Sequence, residues 1–440
     1  MRSKEIKMYS YIFNIGNIVF YIMLGVCFLL LLQKIVYHII GLFPSQKFPD
    51  AKKDHKFVIL IPARNESKVI EDLLISIKDQ DYNPDLLKTY VIVESEKDPT
   101  CEIAKKYKNT EIFVRKRLDL KGKGYALDEA IQYIFKKKEE YDALFVFDAD
   151  NVLTKNYIKE MNKTYDLGYE IALGYRNSKN WNGGWVASCS ALTFSMVNTF
   201  HNKCRSRFNQ NVILSGTGFY IDFKIIKKIG GWKFYALTED YELSMFSTVN
   251  DLKSTYNEYA EFYDEQPTKL KVSWNQRMRW VKGYGQVDKK YKKQLLKGFL
   301  FDKKNKISKL EYTMSILPVM SLILTAVGYS LFTLIMGIIG SINHEPMRIS
   351  VYIAFAAATF SIYLFLALYG MFMLIAERKH INITFKNALV CCLMMPIYMG
   401  SYIPIYFSAV TKKEVEWVPI DHNVKMNVES DKQQVVEEVE

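Results

Sequence analysis

Four long uncharged runs frame a middle stretch in which short apolar segments alternate with amphipathic ones. Met8–Gln33, Tyr312–Asn343, Ser350–Ala376 and Asn387–Thr411 contain no charged residue. Each is long enough, as a helix, to cross a hydrocarbon core about 30 Å thick. The first run has too long an apolar core for a secretory signal and no small-residue cleavage site after it, which predicts an uncleaved anchor. The last run contains Pro396 and Pro404 and is followed by Lys412-Lys413, so it is expected to lie re-entrant at the surface. The K/R balance of the loops puts Tyr312–Ala376 as an in–out–in hairpin, although the basic MRSKEIK start conflicts with an outside N-terminus.

Within Lys34–Glu311 the apolar runs are short and fully apolar, and helical periodicity separates them. Phe57–Ile61, Tyr90–Ser95, Glu111–Val114 and Ala143–Phe147 read as buried strands. Ser67–Gln80, Pro99–Lys108 and Tyr125–Lys137 read as helices. Strands that are apolar throughout, alternating with helices, predict a mostly parallel sheet covered on both faces. Beyond Gly174 the pattern loosens. Ile213–Ile221 reads as a strand interrupted by two glycines, a helix is expected from about Thr238, and Trp274–Tyr284 is amphipathic. The expected organisation is an anchor (1–46), a cytosolic α/β domain (47–285), a basic interfacial linker (286–311), membrane or re-entrant helices (312–411) and a cytosolic tail (412–440) whose end, from Glu429, reads as disordered.

Charge and cysteine usage narrow the function. The net charge of +12, concentrated in Lys105–Lys123, Lys136–Lys138 and Lys289–Lys309, beside membrane runs marks a face near anionic lipid rather than a nucleic-acid surface. It also suits an anionic substrate. The six cysteines show no CxxC spacing and the six histidines no HxxH, which argues against a disulfide frame or a zinc site.

The candidate chemistry lies where strands end. In FVFDADNVL, Asp148 and Asp150 leave a buried strand one residue apart. Like charges so close call for a divalent cation, and hard oxygen ligands suit Mg²⁺ or Mn²⁺ bridging to phosphates. If the chain turns there, one acid holds the metal and the other reaches the ligand. A phosphatase reading of DxD fails because Val152 stands where a Thr is wanted.

PARNE (62–66), VES (93–95), KGKGYAL (121–127), DADN, SGTGF (215–219), TED (238–240) and QRMRW (276–280) follow in this order. Together they resemble the membrane-embedded family-2 glycosyltransferases of GT-A fold, the branch of hyaluronan, cellulose and poly-N-acetylglucosamine synthases, over Phe57–Gly283. The resemblance implies an α/β GT-A domain with transmembrane helices. It implies an inverting, processive synthase at the plasma membrane that adds a hexose from a UDP-sugar to a glycan and exports it; the linkage is β if the donor is α-linked. It names no accessory export subunit. A non-processive transferase acting on a lipid-linked acceptor is the nearest alternative, and a scaffold without turnover another.

Residue by residue, the resemblance places Pro62, Ala63 and Glu66 in the nucleotide loop and Glu94 at the uridine, with Asp98 as its rival because VESEKDPT departs from the family's VDDGSSDGT. Lys123 falls beside the base. Asp150 would hold the metal and Asp148 the sugar or ribose, while Gly216, Thr217 and Gly218 line the acceptor. Asp240 matches the catalytic base, with Glu239 secondary. Gln276, Arg279 and Trp280 match QxxRW, Arg279 gripping diphosphate and Trp280 stacking on sugar. Trp417 and His422 could close over the site from the C-terminal side.

Overall fold

A computed structural model describes residues 2–314, 317–342, 348–412 and 422–426. Its centre is an eight-stranded sheet, built from β1 (Phe57–Pro62), β2 (Leu87–Val93), β3 (Thr110–Val114), β4 (Ala143–Val146), β5 (Val152–Leu153), β6 (Ile171–Ser178), β7 (Phe219–Asp222) and β8 (Ser254–Asp264). The spatial order is β3-β2-β1-β4-β7-β6-β8-β5. The first four strands pair in parallel, as the apolar runs predict. Beyond β4 the sheet becomes mixed: β7 runs antiparallel to β4 and β6, β8 runs parallel to β6, and β5 is antiparallel to β8.

Side chains alternate across each strand and so feed two cores. Phe57, Ile59 and Ile61 pack under the helices Ile70–Lys78 and Tyr157–Asp166. Val58 and Leu60 face the helix Lys123–Lys137.

Three segments depart from the sequence-based expectation. The strand expected over Ile213–Ile221 shrinks to β7, because Gly216 and Gly218 adopt φ +88 and +68, and positive φ cannot continue a strand. The helices Trp185–Met196 and Lys203–Arg207, joined by a π-helical stretch Val197–Asn202, were not anticipated, since the first scatters its serines without a helical period and the second is only five residues long. A continuous helix, Leu270–Phe301, runs through the boundary expected at 285.

Four helical stretches are long and apolar enough to cross a membrane: Lys7–Gly41, Ser321–Ile342, Arg348–Ala376 and Phe385–Thr411, the last broken at Ser401. They pack in file, each against the next in that order. The N-terminal helix is stitched to the second by Tyr9 donating to the Met336 carbonyl at 2.7 Å and Tyr329 to Asn17 at 2.8 Å. Helix Trp185–Met196 seats the α/β domain on the third and fourth stretches through Cys189, Leu192, Met373, Cys391 and Met395. All six cysteines are free. The expected tail from Glu429 and the position of Trp417 lie outside the described residues.

Candidate functional site

The DxD segment does not stay extended. After β4 the chain turns, with Asn151 N–H donating to the Asp148 carbonyl at 3.0 Å. Thr217 Oγ1 and Asn151 Oδ1 both accept from Asp148 N–H, at 2.8 and 3.1 Å, and the Thr217 hydroxyl donates to Asn151 Oδ1 at 2.5 Å. This turn sends the two carboxylates to different partners. Asp148 meets Lys123 Nζ at 2.5 Å, whereas buried Asp150 accepts Glu265 N–H at 3.0 Å and Asn151 Nδ2 at 3.2 Å. A third neighbour reaches Asp150 from the far end of the chain: His422 Nδ1 lies 3.6 Å from its Oδ2 and 3.8 Å from Glu265 Oε2. Among the described residues that buried nitrogen has no hydrogen-bond partner. The segment after it is held down by Asn423 and Val424 N–H, each 2.9 Å from Glu265 Oε2.

Lys123 is the hub of the site. Besides Asp148 it donates to the Gly216 carbonyl at 2.7 Å and stands 3.8 Å from Glu239. Burial works against its charge, yet Asp148 and Glu239 hold its pKa above the usual lysine value. One ammonium thus joins DxD, SGTG and TED.

TED opens the helix Glu239–Val249. Thr238 occupies the cap position, but its side chain makes no capping bond and its buried hydroxyl has no partner among the described residues. Burial pushes Glu239 up to about 7, with Lys123 opposing. Asp240 is raised in the same way, countered by backbone hydrogen bonds and by the cations Lys123 and Arg279.

Gln276, Arg279 and Trp280 sit half-buried on Leu270–Phe301 beside this helix start. Arg279 leans on the Leu237 carbonyl at 3.4 Å, and Trp280 packs edge-on against Phe194 at 5.7 Å. Gln276 Oε1 is buried and has no hydrogen-bond partner among the described residues. Arg277, in the same motif, turns away and bonds the Tyr398 carbonyl at 3.0 Å and Ser401 Oγ at 2.8 Å, at the break in the last membrane stretch.

On the other side of DxD, Pro62 ends β1 and Ala63 N–H donates to the Ile92 carbonyl at 2.8 Å. Burial raises Glu66 to about 7, with His422 as the main opposing charge. Glu94 stands just past β2, with Arg64 Nε at 3.1 Å and Arg115 at 3.6 Å. Its rival Asp98 spends both oxygens on the backbone, taking Asn65 N–H and Thr100 N–H at 2.9 Å each. All fifteen residues expected at the site therefore border one carboxyl edge or the helices beside it. Arg176, Asp264 and Asn151 belong to it too and were not expected. Arg176 and Asp264 come from the unanticipated parts of β6 and β8, and Asn151 follows DxD but looked like an ordinary turn residue.

Among the described residues no group of three or more His, Cys, Asp or Glu is placed to enclose a metal. Asp150 nevertheless fits a cation that takes its remaining ligands from phosphate oxygens, as Mg²⁺ usually does, and His422, once neutral, would offer its Nδ1 to a cation such as Mn²⁺.

A half-parallel, half-mixed sheet with acids at its carboxyl edge and an acid-headed helix beside them defines a GT-A-type glycosyltransferase. Residues 55–283 match the model of glycosyltransferase like family 2, and the chain belongs to that family. It is 26% identical over 265 residues to the probable glycosyltransferase YdaM of Bacillus subtilis, covering 55% of this chain and 58% of that one. It is 22% identical over 237 residues to the beta-monoglucosyldiacylglycerol synthase of Trichormus variabilis, covering 51% and 48%. The chain thus spans about half the length of the curated relatives it matches. In structure it is similar to the mannosyltransferase PcManGT of Pyrobaculum calidifontis, solved with GDP-Man and Mn²⁺, with a TM-score of 0.58, 14% identity and coverage of 91% of this chain and 99% of that one. That likeness concerns the fold.

Proposed function

We propose that this protein transfers a single hexose, with inversion, from a nucleotide sugar to a lipid-borne acceptor at the membrane surface. The observation that carries the reading is the Lys123 bridge, which ties the donor-side acid Asp148 to the loop and helix start holding Asp240. Asp240 takes the proton from the acceptor hydroxyl as its oxygen attacks the anomeric carbon. The bond from that carbon to the diphosphate breaks, and its electrons stay on the leaving oxygen. Lys123 and Arg279 offset the charge developing there. Asp150 and His422 would hold Mg²⁺ or Mn²⁺, which when bound supplies further positive charge to the diphosphate. Pro62, Ala63, Glu66 and Glu94 line the nucleoside side; Gly216, Thr217, Gly218, Gln276 and Trp280 line the acceptor side.

Support for a lipid acceptor comes from the acylglycerol-glycosylating relatives and from the membrane helices. Those helices pack in file and bond to one another through their polar side chains. A processive synthase is the second reading, favoured by half-buried Trp280 following Arg279 on Leu270–Phe301, where a sugar could stack. UDP-sugars are the expected donors by family resemblance, with the α/β domain on the cytosolic side of the plasma membrane.

The test is nucleotide release by detergent-purified protein with Mn²⁺ or Mg²⁺, across UDP-glucose, UDP-N-acetylglucosamine, UDP-glucuronate, UDP-galactose and GDP-mannose. Dioleoylglycerol is present or absent, and Asp240→Asn is run beside wild type. Metal-dependent release stimulated by the lipid, and lost in the variant, supports the reading. Release without lipid that yields a long product favours the synthase, and intact donors throughout reject both.

A further inference from the structure

The acceptor loop has an unusual mechanical problem. Asn211–Gly218 carries no strand, and its glycines sit at positive φ. Its amide hydrogens are met by side chains and strands: Val212 by Ser254, Ile213 by Asn202, Leu214 by Ser244 and Gly218 by the Val146 carbonyl. Two successive carbonyls, those of Ser215 and Gly216, are each held by a cation instead. Lys123 takes Gly216 O at 2.7 Å, and Arg176 Nη1 takes Ser215 O at 2.5 Å.

Arg176 is itself fixed. Its Nε lies 2.7 Å from Asp264 Oδ2, and its Nη2 binds the same oxygen. Asp264 Oδ1 accepts Gln266 Nε2 at 2.8 Å, and Gln266 Oε1 accepts Ser190 Oγ at 2.6 Å. The next residue after Asp264, Glu265, gives its N–H to Asp150. One face of the guanidinium lies 3.7 Å over the Phe194 ring, which packs against Trp280. Each cation therefore ties the loop to one acid of the DxD pair, Lys123 directly to Asp148 and Arg176 through Asp264–Glu265 to Asp150.

We propose that Arg176 is a positioning residue that transmits donor occupancy at Asp150 to the acceptor loop. It rests on the donor reading given above. Anything that binds Asp150 pulls on Glu265, and through Asp264 Oδ2, which takes both Nε and Nη2 of Arg176, on Ser215. Arginine is required because the pair uses its planar fork; a lysine keeps the charge but cannot bridge Asp264 and Ser215 in the same way.

The test is hydrogen exchange of the full-length protein in detergent, with UDP or GDP plus Mn²⁺ as the probe, on wild type, Arg176→Lys and Arg176→Gln. Wild type is expected to gain protection at both 62–66 and 211–218. Arg176→Gln keeps the gain at 62–66 and loses about tenfold or more of it at 211–218, with Arg176→Lys between them. Equal gains at 211–218 in all three proteins overturn the proposal. So does a loss at both segments in a variant whose thermal midpoint matches wild type, because Arg176 would then belong to donor binding. If Arg176→Gln fails to fold, the Arg176→Lys comparison decides alone. A wild type protected nowhere by either nucleotide rejects the donor reading itself, which is a distinguishable result. In turnover, the same variants should raise acceptor KM far more than donor KM.

Discussion

The donor side of the site and the acceptor side are built by different means. On the donor side, Pro62, Glu94 and Asp148 follow directly from β1, β2 and β4, whose parallel ladders fix the backbone up to the functional residue. On the acceptor side, Gly216, Thr217 and Gly218 lie on a strandless loop held by side chains, and Asp240, Arg279 and Trp280 come from helix starts and flanks. A ladder is insensitive to any one side chain. A loop pinned by Lys123 and Arg176 is not. The lesson is that point changes far from the reacting atoms should be tolerated on the first side and costly on the second.

The sharpest way to probe that contrast is Asp240→Asn. It removes the proposed base and leaves the donor side intact, so kcat should fall by on the order of a thousandfold with donor binding unchanged. A variant with near-normal kcat would take the base away from TED. Asp150→Asn comes next, with an expected loss of about a hundredfold and a flattened dependence on Mn²⁺ concentration. Retained metal dependence would move the cation elsewhere.

Gly218→Ala tests the loop directly. At φ +68, a Cβ there would sit 2.1 Å from a Phe262 ring carbon. Strain and overpacking together should lower stability by roughly 3 kcal/mol, read as a drop in thermal midpoint. Phe262 also packs in the core with β1, and Gly218 N–H bonds the Val146 carbonyl of β4, so the damage would reach the donor side through that ring and that strand.

A smaller effect is expected in the pH profile. Asp240 must be ionised to accept a proton, and burial raises its pKa. The acid limb of kcat should therefore lie above the range of an ordinary carboxylate at about 4, activity falling as pH drops through it. Because Lys123 opposes that rise, Lys123→Met should move the limb further upward. A limb that stays put would detach Lys123 from the base.

The same contrast explains what could be read from the sequence. Phe57–Ile61 and Ala143–Phe147 announce themselves as continuous apolar runs, and the acids at their ends follow by position. The acceptor side offered motifs but no geometry. SGTG looked like a broken strand because alternation cannot register positive φ, and Arg176 lay in a segment where the period had faded. His422 is remote from Asp150 in sequence, and only the way the chain folds back brings them together. Asp148 and Asp150 were legible as a pair, but their separation was not, because it depends on Asn151 and Thr217 closing the turn.

The smallest effect bears on the one donor position where two residues competed. Asp98 looked like an alternative reader of the nucleoside, yet both its oxygens are committed to Asn65 and Thr100 N–H, and Asn65 sits at φ +59 in the nucleotide loop. Glu94 is a third exposed and, among the described residues, pairs with the arginine side chains Arg64 and Arg115. Its carboxylate is the one that can turn to a ligand. Glu94→Gln should therefore weaken nucleotide binding by about fivefold, roughly 1 kcal/mol, with the thermal midpoint of the free protein unchanged. Asp98→Asn should do the reverse, lowering the midpoint by disturbing Asn65 and affecting binding only through that loop. Titrating UDP against both variants, each beside its own melting curve, separates a reader from a brace; a stable Asp98→Asn protein with the larger binding loss would exchange the two assignments.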